Sequence, residues 1–371
     1  MPFYFEGDIR DYIAKMLAQR RNYRDEIINL VAKYPYVIFY GCGEVFRGVL
    51  PTWNKYIGRK IDFCCDADES KWGKEILGIK CISLHDMRKI KDQCAIFVTL
   101  GQFKPVINLL KSYDFPSVNL VYKYDLEITD FLEHCNLEIM LKSLSITHDV
   151  LTDQQSRKVF NAIINRVLNP ESDMGIMQKV CESDQYFPHQ IINLSEHERF
   201  VDIGAFDGDT LKEFVDRTHG KFDQIFAFEL DAVNFSALKK QVQLIKEQKK
   251  IKIFNVGIWD TACDINYSVE ESQSSVGNGG AEGHVVTLDD TLGNEKITFI
   301  KMDIEGAELK ALNGTQNIIK SQKPNLAICI YHDFRHLWEI PLLLKSLVPE
   351  YRIYLRHHTN LEYETVCYAI V

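Results

Sequence analysis

The stretch Phe200-Val201-Asp202-Ile203-Gly204-Ala205-Phe206-Asp207-Gly208-Asp209-Thr210 decides the fold of the second half of the chain. A short apolar, strand-like run leads into two glycines, and a helix-like segment follows. This order is typical of open α/β sheets, in which ligands bind at the carboxyl ends of the strands. Glycines at that place allow a ligand to approach the backbone closely. The stretch therefore predicts a strand, a ligand-binding turn and a helix.

Strand-like and helix-like segments alternate from this stretch to the end of the chain. The last two strands are joined by a connection too short for a crossover, so they must pair antiparallel. We predict a doubly wound, mostly parallel sheet with one antiparallel strand near its end. A hairpin at 263–269 and 284–288, with a Gly/Ser-rich tip at 272–280, interrupts the alternation. The predicted strands of the sheet are 200–203, 225–228, 251–255, 297–302, 325–330, 351–356 and 365–370.

A similar α/β pattern precedes this region. Continuous apolar strands separated by helices imply a parallel sheet that is covered on both faces. Residues 34–125 therefore predict a small Rossmann-type α/β domain with strands at 37–40, 61–65, 94–99 and 118–121. Residues 8–33 have the periodicity of one amphipathic helix. The predicted domains are an N-terminal helix (1–33), the Rossmann-type domain (34–125), a helical connector (126–195) and the second α/β domain (196–371).

The composition is that of a globular protein with more than one core. The chain has 371 residues, of which 46% are hydrophobic and 26% charged. This length and balance suit two domains. No apolar run reaches the roughly 18 residues that span a bilayer, and residues 1–10 lack the apolar segment of a signal peptide. The net charge of -9 disfavours a nucleic acid polymer as partner.

Ten cysteines are scattered through the chain. Their spacing fits no zinc site, and several lie inside apolar strand-like runs. This pattern favours buried free thiols in the reducing cytoplasm. We therefore expect a cytoplasmic protein without a metal centre.

Two classes of cofactor, dinucleotides and S-adenosyl-L-methionine, bind at glycine turns like the one at 204–208. A dinucleotide requires a glycine against its pyrophosphate, but the chain has Phe206 at that position. S-adenosyl-L-methionine has no phosphate and carries cationic groups that suit the carboxylate of Asp202. Glu229, after the second strand, can accept hydrogen bonds from both ribose hydroxyls, although the ribose of NAD would bind there equally well. The turn therefore favours S-adenosyl-L-methionine as the cofactor.

Candidate catalytic residues follow the fourth and fifth strands. Strand alternation places Lys301 and Asp303 on the same side, together with Glu305 if the extended path continues. His332 follows an apolar strand at the ligand-binding edge, and we predict it as the general base. Asp303 is the alternative base, or it forms a metal-ligand pair with His332. Two ligands are weak evidence for a metal.

Five other residues are candidates for contacts with the substrate that would accept the transferred group. Arg356, His357 and His358 end the sixth strand, where they could contact an anionic acceptor such as a nucleotide-linked sugar. Ser274 and Ser275 belong to the Gly/Ser-rich tip, which could be a lid over the acceptor or merely a mobile hairpin end.

The first domain has a glycine turn of its own. Gly41 and Gly43 are present, but Phe46 replaces the third glycine of the dinucleotide pattern. Asp66 ends the second strand at about the spacing expected for a ribose contact. Two roles of the first domain remain open. It could bind a nucleotide-sugar or a dinucleotide, or it could have a structural or docking role.

From about residue 185 to its end, the chain resembles the FkbM family of S-adenosylmethionine-dependent methyltransferases. The resemblance lies in the glycine turn, in Phe226-Ala227-Phe228-Glu229, in Val286-Thr287-Leu288-Asp289-Asp290 and, most specifically, in Ile300-Lys301-Met302-Asp303-Ile304-Glu305-Gly306-Ala307-Glu308-Leu309-Lys310-Ala311-Leu312-Asn313-Gly314. It implies a class I methyltransferase fold and transfer to hydroxyl groups, often of sugars.

We expect the donor to contact the residues of the first two strand ends and one residue after the third strand, namely Asp202, Gly204, Ala205, Gly208, Glu229, Leu230 and Gly257. One departure from the family concerns the fifth strand. Many members have an acid near its end, where this chain has Ile330-Tyr331-His332-Asp333, and this difference leaves the identity of the base open.

The sequence thus predicts an O-methyltransferase that acts on a hydroxyl group of a sugar or glycan precursor. Two alternatives remain at this stage. One is a nucleotide-sugar or dinucleotide enzyme that uses the first domain, and the other is a non-catalytic binding protein that keeps the methyltransferase fold.

Overall fold

The computed structural model describes residues 8–101, 103–121, 123–169, 175–270, 273–276, 280–361 and 363–371, and for residues 124, 268–270 and 273–276 it describes the backbone alone. The chain forms two compact units. The N-terminal unit is Ala18–Leu137, and the C-terminal unit is Glu138–Val371 together with the residues up to Leu17. The domain boundaries predicted after residues 33, 125 and 195 stay predictions.

The helix predicted over residues 8–33 is two helices, α1 (Ile9–Gln19) and α2 (Tyr23–Val31). The break lies at Asn22, whose side chain accepts a hydrogen bond from the Asp25 backbone NH and so caps the second helix. Asparagine is among the preferred residues at this capping position. The apolar periodicity continues across the break, which is why the pattern alone suggested one helix.

The N-terminal unit contains a six-stranded sheet with the order β3-β4-β2-β1-β5-β6. All its neighbouring strands pair parallel except β3 and β4, which form a hairpin. The hairpin was not predicted; Leu77 and Gly78 both have positive φ in its two-residue turn, as a type I′ turn requires. The elements are β1 (Tyr36–Tyr40), α3 (Glu44–Tyr56), β2 (Phe63–Cys65), β3 (Glu75–Ile76), β4 (Ile79–Ile82), α4 (Leu84–Lys89), β5 (Cys94–Val98), α5 (Lys104–Ser112), β6 (Val118–Leu120) and α6 (Lys123–His134).

The C-terminal unit contains a seven-stranded sheet with the order β16-β17-β15-β14-β7-β8-β9. Its strands are β7 (Arg199–Ile203), β8 (Gln224–Phe228), β9 (Ile251–Phe254), β14 (Phe299–Met302), β15 (Asn325–Cys329), β16 (Arg352–His357) and β17 (Thr365–Ile370). β17 runs antiparallel to both of its neighbours, β15 and β16, and the other neighbouring strands pair parallel. The predicted α/β class, with one antiparallel strand near the end, is confirmed.

Helices connect and flank these strands. They are α7 (Leu137–Val150), α8 (Gln154–Leu168), α9 (Asp209–Arg217), α10 (Ala232–Leu244), α11 (Leu288–Leu292), α12 (Glu308–Asn313), α13 (Gln316–Gln322) and α14 (His336–Leu347). The central strands β7, β8, β14 and β15 are almost entirely buried, as expected for parallel strands between two helical layers. Their carboxyl ends therefore meet at one edge of the sheet.

A smaller sheet lies between β9 and β14 in the chain. It has four strands in the order β10-β13-β11-β12, namely β10 (Gly257–Ile258), β11 (Cys263–Glu270), β12 (Gln273–Val276) and β13 (Ala281–Val286). The predicted hairpin is correct in pairing β11 with β13. The prediction missed β12. It also extended the second strand of the hairpin to residue 288, although Thr287 already caps helix α11.

All ten cysteines are free thiols, and seven of them are buried. The cytoplasmic location that free thiols favour stays a prediction. Among the described residues, no helix has both the length and the apolar character that crossing a membrane would require.

Candidate active site

The glycine turn between β7 and α9 is held against two neighbouring strands. The backbone NH groups of Gly204 and Ala205 each donate to the Phe228 carbonyl oxygen at 3.0 Å. Gly204 has φ +79°, and a Cβ atom added there would lie 1.9 Å from the Asp303 carbonyl oxygen. Only glycine fits this crossing, because the turn passes directly over the end of β14.

Glu229 follows β8 and lies beside the same turn. Its Oε2 atom accepts a hydrogen bond from the Phe206 NH at 2.9 Å, and Oε1 accepts one from the Asp231 NH at 2.8 Å. Burial raises the pKa of this carboxyl group above its ordinary value, although the two backbone donors oppose the shift. Each oxygen keeps a lone pair for a further donor, so the carboxylate can still receive ligand hydroxyls.

Asp202 and Lys301 form a buried ion pair. Their charged atoms lie 3.0 Å apart, and the side chains are 0% and 3% exposed. Lys301 also donates to the Gly204 carbonyl oxygen at 2.7 Å, which ties β14 to the glycine turn. Burial by itself would lower the pKa of Lys301, but the carboxylates of Asp202 and Asp303 outweigh it and raise that pKa. Asp202, predicted to face the donor, instead neutralises this lysine beneath the turn.

Asp303 follows β14, and two tyrosines hold its carboxylate. Tyr186 donates to Oδ2 at 2.7 Å, and Tyr331 donates to Oδ1 at 3.2 Å. Partial burial acts to raise the pKa of Asp303, but the charges of Lys301 and His332 outweigh it and keep that pKa below its ordinary value. The carboxylate is therefore ionised and fixed in place.

The sequence did not predict either tyrosine as a site residue. Tyr186 comes from a segment 117 residues before Asp303, so no local pattern connects the two. Tyr331 directly precedes His332, the predicted base. Strand alternation predicts that the two side chains point to opposite faces of the sheet. In the structure Tyr331 lines the cavity described below.

His332 lies behind the cavity and is surrounded by carboxylates. Its Nδ1 atom is 2.8 Å from Glu308 Oε1, and its Nε2 atom is 3.3 Å from Glu305 and 3.6 Å from Asp303. Burial by itself would lower the pKa of His332, but these carboxylates outweigh it and raise that pKa well above its ordinary value. An imidazole that stays protonated cannot accept a proton, so this arrangement opposes the predicted role of His332 as general base.

A cavity of about 320 Å³ opens at the carboxyl ends of β7, β8 and β14. This volume lies at the lower end of the usual range for small-molecule sites. Of the predicted residues, it brings together Gly204, Glu229, Leu230, Gly257, Lys301, Asp303 and Glu305. Its other lining residues include Gln185, Phe206, Asp209, Trp259 and Glu364.

Acidic side chains outnumber basic ones in this cavity. Among the described residues, the carboxylates that line it are those of Asp209, Glu229, Asp303, Glu305 and Glu364, whereas Lys301 is the one lining lysine or arginine. Because Lys301 is already paired with Asp202, the cavity favours a cationic ligand and repels an anionic one.

Several predicted residues lie elsewhere. Ala205 and Gly208 belong to the turn but are not among the lining residues, and a Cβ at Gly208 would lie 3.0 Å from Leu238. The Arg356 side chain is 4% exposed and pairs with Asp153 and Glu182.

His357 is fully buried, with Nδ1 2.8 Å from the Thr365 hydroxyl. Neither Arg356 nor His357 is in a position to contact an acceptor in this cavity, since both are enclosed by the C-terminal unit's own residues. Ser274 and Ser275 lie in β12, but their side chains, and with them the proposed lid contacts, lie outside the described part of the chain.

The predicted ligand residues of the N-terminal unit engage one another. Gly41 has φ +104°, and Asp66 Oδ2 accepts a hydrogen bond from the Cys42 NH at 2.8 Å. Lys71 pairs with the same carboxylate at 2.9 Å, so a ribose would have to compete with a lysine there. A Cβ added at Gly43 would meet no neighbouring atom, which shows that the turn is open at that point.

Comparison with known proteins agrees with this fold. Residues 202–362 match the family described as Methyltransferase FkbM domain. The C-terminal unit contains an FkbM methyltransferase domain. The predicted resemblance is thereby confirmed, and the domain covers the glycine turn, Glu229, Lys301, Asp303 and His332.

A crystal structure of the methyltransferase FkbM from Methylobacillus flagellatus KT superposes on the chain with a TM-score of 0.75. The two share 20% sequence identity, and the match covers 97% of this chain and 98% of the other. At this identity the likeness concerns the fold alone. A SAM-dependent methyltransferase from Aquifex aeolicus matches with a TM-score of 0.32 at 14% identity, over 54% of this chain and all of its own. No curated protein matches the chain.

Proposed function

We propose that this FkbM domain transfers the methyl group of S-adenosyl-L-methionine to a hydroxyl group of a sugar or glycan precursor. The observation that carries the proposal is the acidic cavity at the glycine turn. The donor has a sulfonium and an ammonium group and no phosphate, so it suits a cavity lined by five carboxylates and one paired lysine. The pyrophosphate of a dinucleotide would meet the same charges and the Phe206 side chain.

The donor would lie along the ends of β7 and β8. The Glu229 carboxylate would receive the ribose hydroxyls, and charge-assisted hydrogen bonds of this type contribute about 1.5–3 kcal/mol. Leu230 and Gly257 line the cavity next to it and would border the adenine. Gly204 allows this approach because it carries no side chain.

The reaction would be an in-line displacement at the methyl carbon. A carbon–oxygen bond forms while the carbon–sulfur bond breaks, and the sulfonium becomes a neutral thioether. As the acceptor oxygen gains positive charge, its proton becomes strongly acidic, so even the weakly basic carboxylate of Asp303 can accept it. Tyr186 and Tyr331 would hold that carboxylate in place. Positioning contributes the larger part of the rate, and a base adds about 10²–10⁴-fold.

Calorimetry with S-adenosylhomocysteine tests the donor site. The intact chain should bind it with a dissociation constant in the micromolar range, and Glu229→Ala should abolish binding. Glu196→Ala is a matched control, because Glu196 is 66% exposed and pairs with Lys221 on the surface. Absence of binding by the intact chain would refute the proposal.

Turnover tests the acceptor side. A radiolabelled methyl donor and a panel of sugars and glycan precursors should show transfer to a hydroxyl group. Asp303→Asn should lower turnover much more than it lowers affinity for S-adenosylhomocysteine. Donor binding without transfer to any hydroxyl acceptor would instead favour a non-catalytic binding protein.

A further inference from the structure

Four chemistry-bearing side chains converge behind the cavity. Asp303, Glu305 and Glu308 follow β14, and His332 follows the adjacent parallel strand β15. Because the carboxyl ends of neighbouring parallel strands lie at the same edge of a sheet, residues separated along the chain meet here. Three carboxylates thus surround one imidazole.

The charges of this cluster do not balance. Glu308, Glu305 and Asp303 lie 2.8, 3.3 and 3.6 Å from the ring nitrogens of His332, and one imidazole can offset at most one of the three carboxylates. Lys301 lines the same cavity, but it lies 3.0 Å from Asp202 and is already paired with it. Buried charges are costly unless a partner of opposite charge compensates them.

Polar atoms of the cluster also lack hydrogen bonds. The His332 side chain is 8% exposed and the Glu308 side chain 0% exposed. Within the described residues, neither ring nitrogen of His332 nor Oε2 of Glu308 has a hydrogen-bond partner of acceptable geometry. Buried polar atoms normally have partners. Atoms that converge at short distances without directed hydrogen bonds suit a shared cation that accepts their lone pairs.

We propose that Asp303, Glu308 and His332 bind one divalent cation. One ligand atom from each residue lies within 4.8 Å of the others, whereas metal–oxygen bonds of about 2.1 Å place opposite ligands about 4.2 Å apart. Small side-chain movements would close that difference. Glu305 lies 3.3 Å from His332 Nε2 but does not belong to this convergent group. Oxygen donors with one imidazole and no thiolate favour Mn²⁺ or Mg²⁺ over softer metals.

The cation would face the acceptor side of the cavity, because Asp303 and Glu305 line it. It would bind an oxygen of the acceptor and so orient the hydroxyl group, a role that rests on the proposed methyl transfer. A carboxylate has two oxygens, so Asp303 can bind the cation with one and accept the proton with the other. On binding the cation, His332 would release its ring proton and coordinate as a neutral ligand.

Mn²⁺ titration of the EDTA-treated full chain tests this site. Electron paramagnetic resonance of free Mn²⁺ and calorimetry should show one ion bound per chain. His332→Ala and Glu308→Gln should each weaken binding at least tenfold. Since Glu308 also accepts hydrogen bonds from the Ile304 and Gly306 NH groups, Asp303→Asn serves as a second carboxylate variant if Glu308→Gln does not fold.

His197→Ala is the matched control, because His197 is 85% exposed and lies 3.4 Å from Asp223; it should bind Mn²⁺ like the unaltered chain. The proposal is overturned if the intact chain binds neither Mn²⁺ nor Mg²⁺ in a saturable way. Equal binding by the His332 and carboxylate variants would also overturn it, because the ion would then lie elsewhere, for example at Cys42, Cys64 and Cys81, whose sulfur atoms also converge.

Titration of the same samples with S-adenosylhomocysteine separates this proposal from the proposed function. Mn²⁺ binding without binding of the donor product would refute the methyl-donor site and leave the cation site standing. Binding of S-adenosylhomocysteine without binding of Mn²⁺ would refute the cation site and leave the methyl-donor site standing.

Discussion

At the scale of single residues, acidic side chains of similar appearance in the sequence have different tasks. Asp202 is enclosed and pairs with Lys301, whereas Glu229 reaches the cavity while it holds two backbone NH groups. Asp303 is bound by two tyrosines. Their neighbours, rather than their place at a strand end, decide whether each can meet a ligand.

Breaking the buried ion pair should destabilise the chain. Asp202→Asn leaves the Lys301 charge without its partner, and removing one member of a buried pair costs about 3–5 kcal/mol. Urea unfolding should show this loss, and Asp202→Asn combined with Lys301→Met should be less destabilised than Asp202→Asn alone. The exposed pair of Glu196 and Lys221 is the comparison, since Glu196→Gln should cost less than about 1 kcal/mol.

Donor affinity should fall as the pH is lowered. Burial raises the pKa of Glu229 above its ordinary value of 4.5, so the carboxyl group is protonated at a higher pH than an exposed glutamate. The protonated group offers fewer acceptor sites to the ribose hydroxyls. Calorimetry with S-adenosylhomocysteine should therefore show weakening that begins above pH 4.5. Glu229→Gln should bind weakly with little of this pH dependence; an unchanged dependence would assign it to another group.

At the scale of elements, the glycine turn and the loop after β14 depend on each other. The turn passes within contact of the Asp303 backbone, and Lys301 anchors the Gly204 carbonyl oxygen. A change in one segment must therefore displace the other. This coupling explains why the two most specific motifs of the sequence, far apart along the chain, belong to one site.

Gly204→Ala should lower stability by at least about 2 kcal/mol, because a side chain at positive φ is strained and its Cβ would lie 1.9 Å from a carbonyl oxygen. Thermal unfolding followed by circular dichroism measures this loss. Gly48→Ala is the opposite case: Gly48 lies within helix α3 with no atom near its added Cβ, so the same substitution should add about 0.5–1 kcal/mol. Equal effects at both positions would contradict the close crossing.

At the scale of the whole molecule, segments remote in sequence complete the C-terminal unit. The His358 ring lies 3.0 Å from the Glu182 carbonyl oxygen and 3.0 Å from the Tyr368 hydroxyl. Arg356 similarly joins β16 to Asp153 and Glu182. Arg356 and His358, which were predicted to bind an acceptor, thus hold residues that precede β7 against the sheet.

Acid should destabilise this unit partly through His358. Burial lowers the pKa of His358 from 6.5 to about 4. As the pH falls from 6.5 to 4, the unfolded chain gains this proton before the folded chain does, so stability is lost by up to about 3 kcal/mol. Urea unfolding at several pH values should show a flatter profile for His358→Gln. His197→Gln, at an exposed position, should keep the profile of the unaltered chain.

The sequence by itself determined the α/β class, the antiparallel last strand, the glycine turn and the resemblance to the FkbM family. These follow from local properties: apolar runs, strand alternation, short connections and contiguous motifs. Glu229 and Asp303 were found for the same reason, since each directly follows a buried strand.

Only the tertiary structure decided what each side chain meets. It enclosed Asp202, Arg356 and His357, brought Tyr186 to Asp303, and set His332 among three carboxylates. Side-chain roles at a sheet edge depend on packing, charge and burial from segments more than a hundred residues apart. No pattern along the chain contains those distances.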